Sequence, residues 1–163
     1  MKPNEMIWYL IGQITADVRT YDWRKQIRKR FAPEKERIKF FDPCDNGFNK
    51  MVLEFAEDVQ KFREMVRDNP QFSQIIPTRD MGYVFASDGA ICDLNPYTPE
   101  KPFIGTFFEL AWYRLTPWKP VVGVFEGDHT MDLTCRHPFV WDSITTWVKT
   151  YEEACDLVEK MYL

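Results

Sequence analysis

The 163-residue sequence is poor in the features that announce a function directly, and each absence excludes something. Its four cysteines (Cys44, Cys92, Cys135 and Cys155) are scattered, with no Cys-x-x-Cys pair. That spacing removes a zinc ribbon and a disulfide framework, and buried free thiols are expected instead. Only two histidines occur, His129 and His137, eight residues apart. No familiar metal motif has that spacing, so both read as loop or surface residues and no resident metal or other cofactor is expected. No apolar run approaches the roughly 20 residues of a bilayer-spanning helix, and the N-terminus lacks a signal-peptide pattern. A soluble, cytoplasmic protein is expected. Positive charge is not in excess either. With 21 Lys and Arg against 25 Asp and Glu, the net charge is -4 and the pI about 5.3, the wrong balance for binding a nucleic-acid polymer. One basic cluster, Arg24 to Arg30, reads as a solvated helix face. The glycine fingerprints G-x-G-x-x-G and G-x-x-x-x-G-K-[ST] are missing, as is G-x-S-x-G, which counts against hydride transfer, nucleotide-driven phosphoryl transfer and an α/β-hydrolase.

What is present is a globular composition, 45% hydrophobic and 28% charged, enough for one domain spanning residues 1–163. Met6–Ile11 is a continuous apolar run with the character of a buried parallel strand, Arg37–Phe41 reads as a second short strand, Gly89–Leu94 as the next, and Lys119–Phe125 as another buried-strand run. Between them lie helical patterns. Trp23, Ile27 and Phe31 share one face of a helix for which Asp22 is the expected N-cap. Residues 50–68 carry Val52, Phe55, Ala56, Val59, Phe62, Met65 and Val66 at helical steps. Asp80 is placed to cap a short helix through Phe85. A further helix is expected from Thr106 to Leu115. Thr150-x-x-Glu153 is a capping box opening a last helix with Ala154, Leu157, Val158 and Met161 inward.

Strands alternating with helices predict an α/β three-layer sandwich, Rossmann-like or flavodoxin-like, with a mainly parallel sheet between helices. In such sheets ligands bind outside the carboxyl ends of the strands. Those ends are Gly12-Gln13, Asp42-Pro43, Asp93 to Asn95 and Phe125-Glu126. Beyond the third strand, Gly105-Thr106 opens a helix that carries Glu109. Free N–H groups at the helix start suit an anion or a sugar oxygen, and the dipole there favours an ionised carboxylate. The same spacing also suits an ordinary first-turn acid.

Four blocks in order resemble the nucleoside 2-deoxyribosyltransferase family. They are Ile7-Trp-Tyr-Leu-Ile-Gly-Gln13; Pro77-Thr-Arg-Asp80 with Ser87-Asp-Gly-Ala-Ile-Cys-Asp-Leu94; Gly105-Thr-Phe-Phe-Glu-Leu-Ala111; and Lys119-Pro-Val-Val-Gly123. The third is the most telling, being similar to the family's Gly-Thr-x-x-Glu-Leu-Gly around its nucleophile. Asp22-Trp-Arg24 matches a triplet of one branch, which makes Asp22 and Arg24 candidate substrate-binding residues. The resemblance implies a two-step exchange through a covalent deoxyribosyl-Glu109 intermediate. Tyr9 would orient the nucleophile and Asp88 would protonate the leaving base. Gly12 and Gln13 would lie beside the sugar, Asp93 and Asn95 would line the loop over the pocket, and Gly105 and Thr106 would bind at the helix start. Nucleoside and free base are the implied partners. So is a second copy of the chain: the family often completes its site across subunits, here through Asp142 or Ser143, in a dimer or larger assembly.

The chain departs from the family at Phe103, where an aspartate contacting the base is usual. Glu100 is a candidate substitute. Related hydrolases of deoxynucleoside 5'-monophosphates add Ser and Arg after the first strand. The turn Gly12-Gln-Ile-Thr-Ala16 lacks them, although Arg19 and Arg24 are near, so nucleosides are expected over nucleotides. A catalytically silent nucleotide sensor is the alternative that Phe103 leaves open.

Overall fold

The computed structural model describes residues 5–15, 17–54, 59–116 and 118–163. Among these described residues, five strands form one sheet: β1 Met6–Gly12, β2 Ile38–Phe41, β3 Gly89–Asp93, β4 Val121–Val124 and β5 Thr146–Val148. Their order is β2-β1-β3-β4-β5 and every pairing is parallel. Trp8, Tyr9, Leu10 and Ile11 are all 0% exposed, as a central strand covered on both faces requires.

The period-two alternation of a strand divides these residues between two layers. Trp8, Leu10 and Ile91 pack with Trp23 and Ile27 of α1 (Arg19–Arg30) and with Ala154 and Val158 of α7 (Tyr151–Tyr162). Tyr9, Ile11, Ala90 and Cys92 face the other way, onto Val84 of α4 (Phe72–Ala86), Leu110 and Tyr113 of α5 (Ile104–Arg114) and Val140 of α6 (Pro138–Trp141). The expected three-layer α/β architecture is present. Two further helices, α2 (Gly47–Glu54) and α3 (Val59–Asp68), join β2 to α4. Asn46 starts α2 by accepting the Asn49 N–H at 3.0 Å. Of the apolar positions expected over residues 50–68, Phe55 and Ala56 lie outside the described residues. The side chains of Val52, Val59, Phe62 and Val66 are likewise outside the description.

Several local expectations are corrected. Helix α1 begins at Arg19, so Asp22 lies in its first turn, half-exposed and 3.3 Å from Lys25, and is not the N-cap. Arg24 does not belong to a solvated face; it is 0% exposed. Asp80 caps nothing, because α4 runs unbroken from Phe72 with Pro77 inside it. Proline there removes one backbone donor without ending a helix that tertiary packing holds. The fifth strand, β5, is not among the elements expected from the sequence. Helix α7 has the predicted capping box, with Thr150 and Glu153 each satisfying the other's backbone N–H, but Met161 faces solvent. All four cysteines are free and buried.

The β4–β5 contact depends on glycine. A Cβ on Gly123 would lie 2.9 Å from Ile144 Cγ2 and 3.0 Å from the Trp147 ring. Gly123→Ala is therefore expected to lower stability by about 1–3 kcal/mol through overpacking, measured as a shift in the urea midpoint at unchanged slope.

Candidate active site

The strand order 2-1-3-4-5 reverses direction between β1 and β3, and the crevice at such a switch point is where an open parallel sheet takes its ligand. Tyr9 comes from β1 and Glu109 from the helix after β3, so the two strands that flank the switch point supply one pair. The Tyr9 hydroxyl donates to Glu109 Oε1 across 100 residues of sequence. Glu109 is 7% exposed, and because α5 begins at Ile104 it stands in the second turn rather than the first. The helix dipole has faded there, and burial governs instead. The Glu109 carboxyl is pushed up to about 8, chiefly by desolvation, with the Asp80 charge adding to the shift and the Tyr9 hydrogen bond and Arg24 opposing it. Tyr9 is raised well above its ordinary value by burial and then by Glu109 and Asp80.

Asp80, on α4, is the third member. It is 8% exposed, and burial raises its carboxyl against the pull of Arg79 and Arg24. Arg79 holds it: Nε lies 2.8 Å and Nη2 2.7 Å from the same oxygen, Oδ1. The Arg79 guanidinium also sits 5.7 Å from the centre of the Tyr83 ring. Tyr83 in turn stacks on Phe41 at 4.7 Å and packs against Tyr9 at 5.7 Å. Two buried carboxyl groups with raised proton affinities, a tyrosine and two arginines thus share one electrostatic neighbourhood, the kind of arrangement that supports acid–base and nucleophilic chemistry.

The remaining expected residues are distributed differently. Asp88 precedes β3 at the amino end of the sheet, is exposed, and accepts the Ile7 N–H at 2.8 Å. Its carboxylate holds the entry to β1, and no contact among the described residues joins it to Tyr9 or Glu109. The acid that does neighbour them is Asp80, which the Arg79-Asp80 pair signalled in the sequence. Gly12 sits where β1, β3 and α1 meet. A Cβ there would lie 3.1 Å from both Asp93 Cβ and the Trp23 ring. Gln13 ties down the β3–α5 loop, its Nε2 donating to Lys101 O at 2.8 Å and Thr98 O at 3.3 Å.

Arg24 donates to Gly12 O at 3.0 Å and to Thr20 O, with Asp42 3.7 Å from its Nε. Asp93 lies on the α1–α7 side, its Oδ1 accepting Asn95 Nδ2 at 2.8 Å, and burial pushes it up to about 6. Asn95 Oδ1 accepts the Glu126 N–H at 2.9 Å, linking the ends of β3 and β4. Thr106 is buried and Gly105 exposed, both in the first turn of α5 where backbone N–H groups are free.

Asp142 pairs with Arg114 at 2.5 Å and Ser143 donates to Phe139 O at 2.6 Å, so both engage their own chain. They border an apolar cavity of about 730 Å³ between α5 and α6, lined also by Phe107, Phe108, Leu133 and Phe139. Phe103 is buried and stacks on Phe107 at 5.9 Å, while Glu100 is exposed.

Among the described residues no cluster of three or more His, Cys, Asp or Glu could hold a metal ion, and no helix is long and apolar enough to cross a membrane. No protein-family model matches the chain, and no curated protein matches it in sequence. The fold, by contrast, has solved counterparts. A conserved protein from Enterococcus faecalis superposes with a TM-score of 0.60 at 16% identity, covering 96% of this chain and 98% of that one. The 2-deoxyribosyltransferase from Bacillus psychrosaccharolyticus gives 0.54 at 18% identity, covering 92% and 90%. The 2-desoxiribosyltransferase from Leishmania mexicana gives 0.58 at 13% identity, covering 97% and 99%. At such identities the likeness is one of fold.

Proposed function

We propose that the protein is a nucleoside 2-deoxyribosyltransferase that exchanges the base of a 2'-deoxynucleoside through a covalent intermediate on Glu109. The observation that carries the reading is the buried Tyr9–Glu109 pair at the sheet's switch point, with a second buried acid, Asp80, acting on both. Two structural neighbours bear the name of this activity, and one is described as a biocatalyst for nucleoside synthesis. Fold alone never assigns chemistry, so the site bears the argument.

In the first step the Glu109 carboxylate attacks C1' of the deoxyribose. The electrons of the C1'–N bond pass to the base, and Asp80 supplies the proton that the base takes with it. A buried carboxylate against C1' also stabilises the positive charge that builds on the sugar. In the second step a new base attacks C1', Asp80 recovers a proton from it, and Glu109 is released as carboxylate. Tyr9 donates to the carboxylate before and after the exchange. The productive form has Glu109 ionised and Asp80 protonated. Before substrate binds, burial favours the proton on Glu109, so substrate entry is accompanied by its transfer or release.

Nucleosides are favoured over 5'-monophosphates because the two arginines that follow the first strand already have partners in their own chain. Arg19 is paired with Asp17 at 2.6 Å, and Arg24 is buried on Gly12 and Asp42. Phe103, stacked on Phe107, offers the base a ring face in place of a carboxylate acceptor. Completion of the site by a second copy through the α5–α6 cavity is part of the same proposal. Its exposed Phe108, Leu133 and Phe139 suit an interface core, and sedimentation would register a dimer or larger species.

The test is to incubate the protein with each 2'-deoxynucleoside, with and without a second free base, and to resolve the products by chromatography. A new nucleoside, absent with Glu109→Ala, is the expected result. Free base and deoxyribose without exchange would make the protein a hydrolase. Inertness towards every deoxynucleoside and monophosphate would leave a silent sensor.

A further inference from the structure

Arg79 and Asp80 are adjacent on α4, and neighbours in a helix sequence do not normally face each other. Here the Arg79 side chain nonetheless turns back over the Asp80 carboxylate. It does so above Tyr83, one helical turn on, whose ring lies under the guanidinium. Tyr83 is itself fixed by stacking on Phe41 and packing against Tyr9. The grip is also one-sided. Both contacting nitrogens of Arg79 converge on Oδ1, while Oδ2 has no hydrogen-bond partner among the described residues. A two-pronged arginine contact spread over both oxygens is the common alternative for this pair of groups.

From this arrangement, and resting on the glycosyl transfer proposed above, we infer that Arg79 is the positioning residue of the proton donor: it claims Oδ1 of Asp80, so the proton given to the departing base is carried on Oδ2. When that proton leaves, the carboxylate formed stays paired with a guanidinium already in contact, and no charge has to be rearranged during the step. The other charged and titratable groups acting on Asp80 or acted on by it are Arg24 from α1, Tyr9 from β1 and Glu109 from α5. Arg24 is occupied by Gly12, Thr20 and Asp42. Among the described residues, Arg79 is therefore the cation in direct contact with the donor.

A donor matters only when the leaving base needs a proton. 2'-Deoxyguanosine does, whereas its N7-methyl derivative carries a cationic base that departs neutral without one. For an enzyme restricted to pyrimidines, the corresponding pair is 2'-deoxyuridine and its 5-fluoro analogue, whose base leaves readily as an anion. The experiment measures kcat against pH on the matched pair for wild type, Arg79→Gln and Arg79→Lys, with circular dichroism to verify folding.

With the substrate that needs the proton, Arg79→Gln is expected to lose at least about tenfold in maximal rate. The falling limb of its profile should move upward by about one pH unit, since removal of a neighbouring cation makes the carboxyl hold its proton more tightly. With the activated partner the change should stay within about threefold. Arg79→Lys should return the limb towards its wild-type position while recovering only part of the rate, because a lysine restores the charge without the fork.

Equal losses on both substrates, or a limb that does not move in Arg79→Gln, would overturn the assignment while leaving the transferase standing. Wild-type protein that cleaves neither substrate would overturn the glycosyl transfer, and this role with it.

Discussion

Glu109→Gln is expected to be more stable than the wild type above neutral pH and to have lost its activity, two large effects with one cause. The folded protein raises the Glu109 carboxyl from 4.5 to about 8, so it favours the protonated form. For a group raised on folding, its stabilising contribution is complete below the unfolded value and is lost as pH climbs through the folded value. Wild type thus loses stability between about pH 4.5 and pH 8, where Glu109 ionises in a buried site. The amide of the Glu109→Gln variant cannot ionise and still accepts the Tyr9 hydroxyl, so that protein escapes the loss.

The difference between the two proteins should be near zero at pH 4 and reach on the order of a few kcal/mol at pH 8 to 9. Paired denaturant titrations across that range measure it. Activity should fall by roughly 10⁴-fold or more, because an amide cannot form the glycosyl ester through which the exchange passes. A residue that destabilises the fold in its working state is what a site shaped for chemistry produces.

The second large effect concerns Arg24. This guanidinium is 0% exposed and donates to Gly12 O at the end of β1 and to Thr20 O within α1. It lies against the Trp23 ring at 4.4 Å and beside the buried Asp42. Removing it would leave two backbone carbonyls without their donor and the buried Asp42 carboxylate with Arg28 alone beside it. Arg24→Met keeps most of the volume and is expected to cost about 3–5 kcal/mol, the range for breaking a buried pair from one side. The double variant Arg24→Met with Asp42→Asn should recover part of the loss, and only part, because it also gives up the ion pair of Asp42 with Arg28 at 3.3 Å. Urea unfolding of the single and double variants measures both quantities. A single variant within about 1 kcal/mol of wild type would mean that Arg24 does not organise this end of the sheet.

The contrast between these two residues marks how far the sequence could be read. Strands β1, β3 and β4 were legible because an apolar run bounded by turn residues has few other uses in a chain this short. Glu109 and Tyr9, which the structure brings into contact, could be singled out because the residues around Gly105-Thr106 and the turn at Gly12 resemble a family's pattern. β5 was not. It has three residues, is partly exposed, and follows loop residues that give no boundary. Arg24 stood within a run of basic residues where only the packing of α1 distinguishes an inward guanidinium from its solvated neighbours.

That Asp80 and not the expected Asp88 neighbours Tyr9 and Glu109 depends on the path of α4. The two aspartates lie eight residues apart in similar sequence surroundings, but a helix that runs through Pro77 and ends at Ala86 turns Asp80 towards Tyr9 and leaves Asp88 at the opposite end of the strand layer. The raised carboxyls are equally invisible in sequence, since they arise from burial.

A covalent sugar on Glu109 would be detected by intact-mass spectrometry of the protein quenched shortly after mixing with a 2'-deoxynucleoside in the absence of an acceptor base. The expected result is a species heavier by one dehydrated deoxyribose, mapped to the peptide containing Glu109, absent from Glu109→Gln and discharged when a second base is added. Release of base without any adduct, or an adduct on another residue that persists in Glu109→Gln, would contradict it.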